Sequence, residues 1–176
     1  MELQDQPIVN RVANSGLVTL NLEEYYHPGE RVLYDLKENL YQGMILREKD
    51  FREFVKAHDW EQYRGKNVAI TCTEDAIVPV WAYMLLVTKL EGIAHHVALG
   101  SLMELEKSLF QRTLAEKLDV DEYQGAKIVI KGCGDLPIPE FAYTELTRLV
   151  KPVAQTIMYG EPCSTVPLYK KPKPTN

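Results

Sequence analysis

The feature that most limits what this chain can fold into is an internal repeat at a spacing of 60 residues. Asp59 to Gly100 aligns without a gap on Asp119 to Gly160. Identities fall at Asp59/Asp119, Tyr63/Tyr123, Gly65/Gly125, Ile70/Ile130, Asp75/Asp135, Pro79/Pro139, Ala82/Ala142, Tyr83/Tyr143, Leu86/Leu146, Ala94/Ala154 and Gly100/Gly160. A duplicated segment of this kind must be one supersecondary unit used twice, so its internal pattern dictates the architecture. In each copy Tyr-x-Gly leads into a short apolar run, Val68 to Thr71 and Ile128 to Lys131. A loop and a proline follow. Proline suits the first turn of a helix, where an N–H has no intrahelical partner. The helices are therefore expected over 79–90 and 139–150, with second strands over 97–99 and 156–159. Strand, helix, strand over about 30 residues is a βαβ unit with parallel strands and a right-handed crossover.

Flanking segments complete the reading. Leu17 to Leu22 and Arg31 to Leu36 alternate with period two around His27-Pro28-Gly29, which predicts an N-terminal β-hairpin. Phe51, Phe54 and Val55 lie at helical spacing before the repeat. After the first copy, Ser101 and Glu104 form a capping box ahead of Leu102, Leu105, Leu109 and Leu114. After the second copy stands Glu161-Pro162-Cys163-Ser164-Thr165-Val166-Pro167, which lacks helical periodicity and reads as an irregular loop. The expected fold is α/β. It is a three-layer-like parallel or mixed sheet built from two repeated βαβ units plus the hairpin. The chain is parsed as a single domain, 1–176, with a hairpin and helix (1–58), repeat one (59–118), repeat two (119–160) and a loop and tail (161–176).

Composition narrows the function classes. With 45% hydrophobic and 26% charged residues the chain has ordinary globular balance. A net charge of −5 without a basic stripe argues against nucleic acid. The longest apolar run, Ala76 to Val87, is too short to span a bilayer, and the acidic start is no signal peptide. The expectation is a cytoplasmic protein without a membrane partner; a homo-oligomer stays open. Three cysteines at wide spacing argue against a disulfide framework.

Strand direction puts Cys72, Cys133 and Cys163 at the carboxyl edge of the parallel sheet, where open α/β sheets bind ligands. Asp75 and Asp135 share one loop position ahead of the two helices. These five residues are the candidate metal ligands, for zinc or an iron–sulfur cluster, with Glu74, Glu161 or water as other fourth ligands. His95 and His96 open a strand and belong at the opposite, amino edge. Two further readings remain open: cysteines that only pack, and a reactive thiol near helix N-termini, first of all Cys133 beside its flanking glycines. No Ser-His-Asp order or His-Glu-x-x-His helix is present, so no catalytic residue is assigned and nothing demands an enzyme. A thiol-dependent enzyme and a non-catalytic interaction module stand as alternatives.

Three stretches carry a family resemblance. They are Asn10-Arg11-Val12-Ala13-Asn14-Ser15-Gly16-Leu17; Ala69-Ile70-Thr71-Cys72 with Asp75-Ala76-Ile77-Val78-Pro79 and Trp81-Ala82-Tyr83; and Met158 through Lys170. On these the chain resembles domain-of-unknown-function family 2480, a bacterial family, over nearly its whole length. The resemblance transfers no catalytic residues. It implies an association with iron–sulfur cluster assembly and, as partners, iron–sulfur assembly proteins.

Overall fold

The computed structural model describes residues 16–132 and 134–173. It is an α/β fold of parallel and mixed sheets alternating with helices. The strands are β1 Leu17–Asn21, β2 Arg31–Asp35, β3 Asn67–Thr71, β4 His96–Leu99, β5 Lys127–Lys131, β6 Thr156–Glu161 and β7 Ser164–Lys170. The helices are α1 Glu48–Ala57, α2 Val80–Leu90, α3 Leu102–Lys117 and α4 Glu140–Val150. The chain divides into two compact units. Unit 1 comprises Met1–Tyr26 with Thr113–Asn176, and unit 2 comprises His27–Arg112. None of the described helices is long and apolar enough to cross a membrane.

Unit 2 holds a parallel sheet of order β2-β3-β4. β3 is buried on both faces, which is why its centre, Val68-Ala69-Ile70, is apolar at successive positions rather than alternating. Val68 and Ile70 pack with Ala82, Leu86 and Leu90 of α2, while Ala69 packs with Leu105 and Leu109 of α3. Unit 1 holds a sheet of order β1-β5-β6-β7, parallel except for the antiparallel β6–β7 pair. Its buried residues Ile128, Ile130, Ala142, Leu146 and Val150 stand 60 positions beyond those of unit 2. Pro79 and Pro139 occupy the N-cap positions of α2 and α4. Gly65 and Gly125 have φ of 70° and 71°, and Gly100 and Gly160 have 120° and 116°. Only glycine tolerates these values without strain, which explains why both pairs are identical.

The expected N-terminal hairpin does not form. β1 lies parallel to β5 and β2 lies parallel to β3, in different sheets. The physical reason lies at the strand ends. Asn21 Oδ1 accepts from the Glu23 N–H at 3.2 Å and Asp35 Oδ1 from the Lys37 N–H at 3.0 Å. Each side chain thereby starts a 3-10 turn, over Leu22–Tyr25 and Leu36–Asn39, in place of a chain reversal. Asp59 and Asp119 begin the 3-10 turns Trp60–Tyr63 and Val120–Tyr123 in the same way. The C-terminal segment also differs from the expected loop. Residues 161 and 164 pair, so Pro162 and Cys163 form a two-residue turn between β6 and β7. Pro167 is accommodated because β7 is an outer strand.

Candidate binding cleft

Cys72 and Cys163 belong to different sheets. Cys72 follows β3 of unit 2, whereas Cys163 sits in the β6–β7 turn of unit 1. The reading of one shared edge assumed one sheet. Cys72 is half-buried against the unit 2 core, with its thiol directed at the Glu74 carbonyl 3.6 Å away. Cys163 is exposed. Asp75 and Asp135 lie exposed in their loops. Cys133 lies outside the described residues. Among the described residues no group of three or more His, Cys, Asp or Glu is placed to hold a metal ion. The expected zinc or iron–sulfur centre is therefore corrected: the thiolates and carboxylates assigned to it do not form a described ligand set, and no metal-binding function follows. His95 and His96 stand at the amino edge of sheet β2-β3-β4, where His96 pairs with Asn67 and His95 stacks on His27 with centroids 3.7 Å apart.

What the geometry does assemble is a pair of apolar clefts. In unit 2, Ile70, Val80, Tyr83, Met84, Val87, Thr88, Val97, Ala98 and Leu99 line a cleft of about 570 Å³. In unit 1, Ile130, Glu140, Tyr143, Thr144, Thr147, Tyr159 and Leu168 line one of about 580 Å³. Each lies between the repeat helix and the outer parallel strand, and six of the lining positions correspond at the 60-residue spacing. Burial pushes the Tyr83 phenol up, and the neighbouring Cys72 and Asp35 add to the effect. Its ring acts at neutral pH as an uncharged wall with a hydrogen-bonding tip.

The clefts differ in two respects. Leu168 of β7 lines the unit 1 cleft, because β7 extends the sheet beyond β6. In unit 2, β4 is the last strand of its sheet. The side chains differ as well. Where unit 1 has Glu140, Thr144, Thr147 and Tyr159, unit 2 has Val80, Met84, Val87 and Leu99. These four are 72%, 64%, 41% and 65% exposed. Contiguous exposed apolar patches commonly mark interaction surfaces, whereas single exposed apolar residues are ordinary. Sequence reasoning passed over these four, reading 79–90 as a core-facing repeat helix and the run Ala76 to Val87 as too short to span a bilayer. The signal was available by comparing the copies: α2 is apolar at most positions from Val80 to Val87, whereas α4 is amphipathic.

A smaller and more polar hollow of about 260 Å³ lies on unit 2 among Leu33, Tyr34, Asp35, Glu38, Asn39, Phe54, His58 and Tyr63. Burial holds His58 below the usual imidazole range, against the opposing pull of Asp59. Its Nε2 lies 3.2 Å from Tyr63 Oη and 3.2 Å from Gln62 Nε2. Burial raises Tyr34 and Tyr63, and the Tyr34 hydroxyl donates to Asn39 Oδ1 at 3.1 Å. Phe54, Trp60 and Tyr34 surround the imidazole, with ring centroids 4.8, 4.6 and 6.2 Å from it. Aromatic rings thus pack around the His58 imidazole, whose Nε2 already has partners on Tyr63 and Gln62.

Residues 6–171 match the family model described as Protein of unknown function (DUF2480). The chain belongs to the DUF2480 family. No curated protein and no solved structure matches this DUF2480 chain.

Proposed function

We propose that the protein is a non-catalytic binding module. Its unit 2 takes up an extended apolar segment in the α2–β4 cleft and along the β4 edge. On this reading the two units are copies of one module, made of a strand, a 3-10 turn and a strand–helix–strand element. The copy in unit 1 carries its own covering strand, β7, and the copy in unit 2 receives one from a partner. The single observation that carries the reading is the replacement of Glu140, Thr144, Thr147 and Tyr159 by the exposed Val80, Met84, Val87 and Leu99 at corresponding positions. Strand addition at a sheet edge supplies main-chain hydrogen bonds, and an adjoining pocket supplies side-chain selectivity.

The probe is a fluorescein-labelled peptide of the β7 sequence, Ser164 to Lys170, titrated with dilute full-length chain and followed by fluorescence polarisation. The expected result is saturable binding that Met84→Glu in the chain weakens at least about tenfold, since a charge must be desolvated in an apolar cleft. Absence of binding, or binding indifferent to Met84→Glu, overturns the proposal.

A further inference from the structure

We infer that the occupant of the unit 2 cleft and β4 edge is a second copy of this chain, with β4 antiparallel to its counterpart across a twofold axis perpendicular to the sheet. This rests on the docking reading above and names its partner.

The argument is self-complementarity on both faces of the sheet. β4 is four residues long, His96–Leu99. Val97 lies toward the α2 core, and Ala98 lies toward α3. On the α2 face the rim of the edge is the stripe Val80, Met84 and Val87, with Leu99 beside it. A twofold axis perpendicular to the sheet sets this stripe against its own reverse, Val87 opposite Val80 and Met84 opposite Met84. The two apolar rims then close on one another.

On the other face α3 runs back along β4, and three contacts fix its direction. The Glu104 side chain packs on Gly100, where an added Cβ would meet Glu104 Cγ at 2.9 Å. Ser108 Oγ lies 2.6 Å from His96 Nε2. Arg112 Nη1 donates to the His95 carbonyl at 3.2 Å. Glu104, Ser108 and Arg112 are spaced four residues apart, so they share one face of the helix. That face is acidic at the carboxyl end of β4, neutral in the middle and basic at the amino end. Lys107 pairs with Glu104 Oε1 at 3.9 Å, and Glu104 Oε2 accepts from the Ser101 N–H at 3.0 Å, so the carboxylate is held at this end of the helix. The same twofold axis brings Glu104 of one copy toward Arg112 of the other, twice, with Ser108 near the axis. An isologous interface requires this kind of self-match.

β4 is the last strand of its sheet and carries no proline or lysine, so its outer edge can accept a further strand. The observed β6–β7 pair is the antiparallel arrangement proposed for β4 and its counterpart. Pairing at the usual strand spacing of about 4.8 Å joins the two three-stranded sheets into one continuous sheet.

The test is sedimentation equilibrium of the full-length chain over a range of concentrations, read as the apparent dissociation constant. The expected species has twice the 20.1 kDa chain mass. Arg112→Glu should weaken association at least about tenfold, because two like-charged contacts replace two favourable ones. Combining Arg112→Glu with Glu104→Arg should bring it back to within about threefold of wild type. Thermal melts of each variant exclude simple unfolding, and Leu99→Lys provides an independent disruption that leaves the helix caps intact. A monomer at all concentrations, or a dimer indifferent to both Leu99→Lys and the charge pair, overturns the inference. A monomer that still binds the Ser164–Lys170 peptide in a Met84-dependent way overturns only the self-partner and leaves the docking reading standing. A monomer that binds no peptide overturns both.

Discussion

Asp35 ties the end of β2 to the loop beyond β3, and removing it should cost unit 2 a definite share of its stability. Its Oδ1 accepts from the Lys37 N–H at 3.0 Å and the Thr73 N–H at 3.1 Å, and its Oδ2 accepts from the Thr73 hydroxyl at 2.5 Å. Loss of a capping carboxylate costs about 1 kcal/mol. The two Thr73 bonds are charge-assisted, but Thr73 is exposed and water replaces part of each. Taking roughly 0.5–1 kcal/mol for each, Asp35→Ala should destabilise by about 2–3 kcal/mol. The chain's two tryptophans are Trp60 and Trp81, both in unit 2, so fluorescence during urea unfolding reads the right part of the molecule. With a urea slope of about 1–3 kcal/mol per molar, the midpoint should fall by about 0.7–3 M at pH 7. The pH dependence has a fixed sign. Burial alone would raise the Asp35 carboxyl, but the Thr73 hydroxyl, the Lys37 and Thr73 N–H groups and the Lys37 charge outweigh it and hold it below the usual range. The stabilisation is therefore present above the unfolded value of about 3.9 and lost as pH falls through the lower folded value. Asp35→Asn keeps an acceptor, as Asn21 does in the other unit, and should cost only about 1 kcal/mol. A midpoint for Asp35→Ala within about 0.3 M of wild type, or a gap from wild type that persists undiminished at pH 2, would refute this account.

Three further outcomes are expected. Leu86→Ala and Leu146→Ala, both at fully buried positions on α2 and α4, should each cost about 2–5 kcal/mol in denaturant unfolding followed by circular dichroism; a loss under about 1 kcal/mol at either would contradict the packing assigned to that helix. Because burial keeps His58 preferentially neutral in the fold, stability should decline as pH drops below about 6.5 and level off beneath the folded value. His58→Phe should flatten that slope in urea midpoints measured from pH 7.5 to 5, and an unchanged slope would show that another group titrates. In timed iodoacetamide labelling resolved by peptide mass spectrometry, exposed Cys163 should alkylate well before half-buried Cys72; the reverse order would contradict the placement of Cys163 in the turn.

Sequence reasoning reached the features that repeat with physical necessity. A positive φ admits little besides glycine, so Gly65, Gly100, Gly125 and Gly160 mark both copies at fixed spacing. Prolines ahead of α2 and α4 mark helix starts for a similar reason. The partners of β1 and β2 were not legible. Asn21 and Asp35 look like turn residues, and they do begin turns, but 3-10 turns that carry the chain onward. A strand pattern carries no address for its partner, and β1 finds its own on β5. The cysteine site failed for a related reason: strand direction locates an edge, but here there are two sheets, with Cys72 and Cys163 in different ones. The cleft was missed because exposed apolar residues on α2 look like core until set beside Glu140, Thr144 and Thr147.

The pairing of β1 with β5 has a bearing on how the chain is made. Leu17 meets Lys127, a partner roughly 110 residues away, whereas Arg31 meets Asn67 after only about 36, and such distant closures are the slow ones. On the ribosome every strand and helix of unit 2 is in hand before β5 has been translated. Through that interval β1 has no sheet to join and must wait as an unclaimed apolar ribbon. The middle of the polypeptide is thus the part that can mature first, while β1 waits for a strand made about 110 residues later.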